Sequence, residues 1–156
     1  MLPAYKFSLT PVRRVSAREK VERLEALLCS VPQVECPVKN YFSNGLYIRE
    51  MTLPAGTTLT GAVHKTKHMV TVKGVAKVHV DDGVIEVDGF AGFIAHPGAK
   101  RAFHAITETV ITNFHETTET DLDKLIEELT ESKACELLGE SQNKQLMANK
   151  LTELEA

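Results

Sequence analysis

Between Pro54 and His115 the chain alternates short apolar and polar runs, cut by glycine and proline at close intervals. The breaks fall at Gly56, Gly61, Gly74, Asp82-Gly83, Asp88-Gly89, Gly92 and Pro97-Gly98. The segments between them are rich in Val, Ile, Thr and Phe, and many short strands so spaced predict an antiparallel sandwich or barrel. Just upstream, Asn44-Gly45 is a tight-turn signal between two β-prone runs, Tyr41 onwards and Leu46 to Leu53.

Helical patterns flank this region. Ser16 with Glu19 three residues on has the form of a capping box, and Val21, Leu24, Leu27 and Leu28 follow at helical spacing until Pro32. After His115, Leu122, Leu125, Ile126 and Leu129 repeat at the same spacing, with Thr118 or Thr120 as cap and Gly139 as stop. Leu146, Met147, Leu151 and Leu154 mark a second tail helix. The division expected is an arm and helix over 1–37, a barrel over 38–116 and a helical extension over 117–156. Residues 5–9 (YKFSL) alternate as one further strand would.

Composition changes this picture little. A chain of 156 residues buries a real core, and a net charge of −3 with a pI near 6.1 argues against nucleic acid as partner. There is no Trp for base stacking. The tail from Glu116 holds eleven acids against four lysines, an acidic solvated face. Cys29, Cys36 and Cys135 make an odd count without a CxxC pair, as reduced cytosolic thiols do. No apolar run approaches the ~20 residues that span a bilayer, and the N-terminus lacks the pattern of a signal peptide.

Candidate chemistry rests on imidazoles and one guanidinium. From Gly61 to Gly74 the even positions, His64, Thr66, His68, Val70 and Val72, share one strand face, while Lys65, Lys67 and Lys73 share the other. The lysine face belongs to solvent, so His64 and His68 point inward, about 13 Å apart on a straight strand. Only a bend or bulge would bring them to one metal. In the second stretch, HPGAKRAFH (96–104), an inward Phe103 takes Arg101 to the same wall and turns His104 away; a register shift turns His104 inward. Arg101 inside, with His64, His68 and Thr66, would bind a carboxylate or phosphate; at the rim it would pair with Glu108 or Glu50. His79 and His115 read as structural and His96 as a turn residue. No nucleophile elbow or phosphate loop is present.

The stretches PAGTTLTGAVHKTKHMVTVKG and HPGAKRAFHA resemble the two motifs of the cupin superfamily. NYFSNGLYIREMTLPAGTTLTGAVHKTKH, PGAKRAFHAITETV and HETTETDLDKL are similar to small cupin-like proteins of tailed bacteriophages. The resemblance covers about residues 33 to 130 and implies a mainly β fold: a small cupin-type, double-stranded β-helix (jelly-roll) barrel with an N-terminal helix and a C-terminal helical extension. In the metal-binding members' pattern, His64 falls at the second histidine, Ala62 at the first, Lys67 or His68 at the glutamate, and Arg101 at the histidine of the second motif. A three-histidine site of His64, His68 and His104 would suit a divalent transition metal such as Zn, Fe, Ni, Mn or Cu.

Three functions follow as expectations. The leading one is a non-catalytic phage accessory or virion-associated protein with the barrel as assembly module, located in the host cytoplasm or virion. The others are a carboxylate- or phosphate-binding barrel, and a metal-dependent cupin enzyme of isomerase or dioxygenase type. A homo-oligomer is expected, with other phage structural proteins as further partners and neither nucleic acid nor membrane.

Overall fold

Residues 14–132 are described here by a computed structural model. The capping box forms as its spacing requires: Glu19 N donates to Ser16 Oγ (3.1 Å) and Ser16 N to Glu19 Oε2 (2.9 Å), starting α1 at Ala17–Cys29. Only part of its apolar stripe docks. Val21 is buried, whereas Leu27 is 67% exposed. What ties α1 to the barrel is Glu25, which accepts from Thr60 Oγ1 (3.1 Å) and pairs with the buried Lys100 at 2.9 Å.

Seven strands follow: β1 (Val38–Ser43), β2 (Leu46–Leu53), β3 (Thr58–Thr60), β4 (His68–Val80), β5 (Gly83–Ala95), β6 (Ala102–Ala105) and β7 (Thr109–Glu116). They form one antiparallel sheet in the order β1-β2-β7-β4-β6-β3, with β5 paired to the other edge of β4. Asn44-Gly45 makes the β1–β2 turn, with Gly45 at φ 76°, a conformation open to glycine.

Gly74, Asp88-Gly89 and Gly92, expected as turns, lie instead inside two 13-residue strands. At Gly74 the reason is close approach. β4 pairs with β7 over 69–73 and with β6 over 76–79, and Gly74 sits at the changeover. A Cβ there would stand 2.6 Å from the Glu108 carbonyl oxygen. Gly92 similarly leaves room for Met69 Cε, which a Cβ would meet at 2.7 Å.

The curled sheet encloses Leu53, Val70, Val72, Val78, Phe103 and Ile111. Helix α2 (Leu122–Leu129) closes one end, burying Leu125 and Leu129 against Tyr47. Its cap is Asp121, not Thr118 or Thr120, because that carboxylate accepts from two amides, Asp123 N and Lys124 N. The helix ends at Leu129 rather than near Gly139, since Thr130 turns extended and bridges to His64 in the barrel. Gly139, the strand run at 5–9, the second tail helix and Cys135 fall outside the described residues. Cys29 is exposed and Cys36 is buried. No helix among the described residues is long and apolar enough to cross a membrane.

Candidate metal centre

Inward positions on three adjacent strands build the site through their register. Across β2 and β7, Tyr47 faces His115, Arg49 faces Asn113 and Met51 faces Ile111. Across β7 and β4, Asn113 faces Val70 and Ile111 faces Val72. The inner wall therefore grades from a polar row near α2 to an apolar floor. His68, the inward position before Val70, reaches His115, with ring centroids 4.3 Å apart.

His64 arrives by another route. Residues 61–67 are not a continuation of β4: the chain bends at Lys65-Thr66 before the strand begins at His68. Main-chain bonds hold this bend to its neighbours, Lys65 N to Leu129 O (2.8 Å) and Gly98 N to His64 O (2.9 Å). The ring of His64 then lies 4.3 Å from His68 and 5.1 Å from His115, centroid to centroid. The separation of a straight strand does not apply.

The three imidazoles offer nitrogens that all lie within 4.8 Å of one another. His64 Nδ1, His68 Nε2 and His115 Nδ1 are buried and have no hydrogen-bond partner. His68 Nδ1 lies 3.1 Å from the Thr66 carbonyl; it must donate there, which leaves the Nε2 lone pair facing inward. The Asn113 amide favours the charged form of His68 but does not reach hydrogen-bond geometry at Nε2. An unmet buried polar atom costs about 1–3 kcal/mol, so three together need a reason.

Burial sets the charge state. Burial first, with the fields of His68 and Arg49 adding to it, holds His64 well below its ordinary value and takes His115 down to about 3. His68 is lowered mainly by burial as well. Three neutral imidazoles with free lone pairs are the donor set that Zn and its neighbours take, at about 2.0–2.1 Å from nitrogen. Nitrogens around such an ion stand roughly 3 to 3.5 Å apart, so a contraction within side-chain reach closes this group on a metal. The residues present fit one.

His104 is not among them. Phe103 faces the core, which turns His104 to the opposite side, where its Nδ1 meets Thr58 Oγ1 at 2.8 Å. His115 stands as third member where His104 was expected. Thr66 has an exposed side chain and contributes only its carbonyl. Arg101 shares the inner wall with Phe103, is 7% exposed, and lies over the Phe93 ring at 5.9 Å. Among the described residues it forms no ion pair with Glu50 or Glu108. His79 and His96 are exposed. His64, His115, Arg49 and Arg101 line a cavity of about 120 Å³, which α2 covers with Leu122, Leu125, Ile126 and Leu129; His68 stands beside it, its ring 4.3 Å from each of the other two.

The parity signal for His115 was present in TVITNFHE (109–116). It shares a face with Ile111 and Asn113, but the opposite face carries Val110 and Phe114 and looks the more apolar.

No protein-family model and no curated protein matches the chain. Solved structures similar to it include salicylate 1,2-dioxygenase from Pseudoaminobacter salicylatoxidans, 16% identical over 64% of this chain, with a TM-score of 0.47. The match spans only 30% of that dioxygenase. KdgF from Halomonas sp. is 16% identical over 55% of this chain and 85% of its own, TM-score 0.45. A cupin-2 domain containing protein from Shewanella frigidimarina is 11% identical over 61% and 92%, TM-score 0.42. The mainly β fold expected from the sequence, a curled antiparallel sheet with a helix before it and one after it, stands on the chain's own strand order and register.

Proposed function

We propose that the cavity is a transition-metal centre held by His64, His68 and His115, and that the protein is a metal-dependent cupin-type enzyme acting on a small substrate. The observation that carries this reading is the convergence of three buried, unpartnered nitrogens at one end of the barrel. With no acid among the described residues on the cavity wall, the ligands leave a divalent ion its full charge. Such an ion would supply Lewis-acid polarisation of a bound oxygen. The protein's own contribution is to hold the imidazoles neutral, fix the His68 tautomer through Thr66, and keep water out with the apolar face of α2.

A phage or virion assembly module, the leading expectation from the sequence, gains no support from this cavity. An assembly barrel would do better to fill its interior with apolar side chains than to bury three imidazoles unpaired.

The test is metal content after purification without affinity histidines and reloading with Zn²⁺. About one equivalent per chain is expected, lost in His115→Ala and kept in His104→Ala. Retention in His115→Ala, or no uptake by the native chain, would sink the assignment.

A further inference from the structure

The same cavity carries more positive charge than a metal site needs. Arg49 and Arg101 both line it, no Asp or Glu does, and neither arginine forms an ion pair among the described residues. Arg101 is nine-tenths buried, and Asp81 is the one acid whose field reaches it appreciably. Both guanidiniums act on the imidazoles: Arg101 and Arg49 on His64, Arg101 on His68, and Arg49 on His115. A nine-tenths buried guanidinium and a half-buried one beside a metal dication, with no acid among the residues that line the cavity, form an arrangement that a bound anion would balance.

We propose that Arg49 and Arg101 are the anion-binding half of this cavity and that its ligand is a small monocarboxylate with a short apolar body, bound together with the metal. The inference rests on the metal reading of the cavity and names its substrate class. Size comes from volume. An apolar cavity of about 150 Å³ holds benzene, so about 120 Å³ holds roughly five or six non-hydrogen atoms.

The apolar part of the wall, rather than donor supply, favours a carboxylate with an apolar body over a phosphate. Tyr47 Oη already donates to Asn40 (2.7 Å), Thr60 Oγ1 to Glu25 (3.1 Å) and Thr130 Oγ1 to the Ile126 carbonyl (2.7 Å). The cavity wall is left with two guanidiniums and the Asn113 amide as donors. The N–H groups of two guanidiniums serve a carboxylate or a phosphate equally well, so the choice falls to the rest of the wall. Leu59, Val70, Phe103 and Leu125 complete the wall and suit an apolar body.

The experiment is calorimetric titration of the full chain with pyruvate as probe, first after chelator treatment and then with one equivalent of Zn²⁺. Pyruvate binds both forms of the native chain, and Arg101→Gln weakens it about tenfold or more, the loss of a charged hydrogen bond; Arg101→Lys recovers part. Pyruvate and Zn²⁺ tighten each other by the same factor. Pyruvamide, the neutral isostere, does not bind the native chain, a result that needs no variant to fold. Equal binding of pyruvamide or inorganic phosphate, binding unchanged in a folded Arg101→Gln, or no binding in either form would overturn the proposal. Arginine-dependent pyruvate binding without Zn²⁺ uptake would uphold the anion site while sinking the metal centre.

Discussion

His64, His68 and His115 are neutral because the barrel dries them, and that state has a consequence for stability. In the unfolded chain each imidazole takes a proton near its ordinary value of 6.5; in the fold burial opposes this, down to about 3 for His115. Between those limits the unfolded state binds more protons, so stability falls as pH drops from 6.5 towards 3. For chelator-treated protein, urea unfolding at stepped pH should show this loss, on the order of a few kcal/mol. The triple variant His64→Asn, His68→Asn, His115→Asn should show a shallower slope. Equal slopes in the two proteins would mean that the imidazoles are not buried neutral.

At the scale of elements, the long β4–β5 hairpin depends on Gly74. Its φ of 133° lies where side chains strain the backbone, and an added Cβ would meet Glu108 O at 2.6 Å and Thr109 Oγ1 at 2.8 Å. Gly74→Ala should cost about 2–4 kcal/mol, read as a lower urea midpoint at unchanged slope. Gly83→Ala serves as control. It has a similar φ of 137° but open space around it, so it should cost less. The glycine pattern that predicted many short strands thus marks, at Gly74, the point where one strand exchanges partners from β7 to β6.

For the whole molecule, the joint between α1 and the barrel is the Lys100–Glu25 pair, with the Lys100 side chain 8% exposed and that of Glu25 31%. Lys100→Met removes a buried cation from beside a half-buried carboxylate and should destabilise by about 3 kcal/mol in thermal unfolding. Adding Glu25→Gln should return most of that loss, because the charge left behind is then gone. A double variant no better than the single one would show that lysine's packing, not its charge, holds the helix.

Local physics makes much of this legible in the sequence alone. The capping box at Ser16 and Glu19, the Asn44-Gly45 turn and the helical stripe at Leu122–Leu129 are set by spacings of a few residues, and they form where the sequence places them. Strand parity likewise put His64 and His68 on a common inward side, and Arg101 with Phe103. What parity cannot express is a bend: the break at Lys65-Thr66 brings two rings to 4.3 Å where a straight strand holds them far apart. Nor could it choose between the faces of TVITNFHE, because that choice depends on which strands lie on either side of β7. His115 joins the site only because β2 and β4 both pair with β7, contacts such as Tyr47 to His115 and Met69 to Phe114 between residues far apart in the chain. The sequence by itself determined the strand-rich centre, where α1 starts and the stripe of α2, and the donor chemistry, since these follow from near neighbours. Which three imidazoles meet, and which two arginines lie beside them, was decided by long-range pairing, and only the tertiary structure holds that.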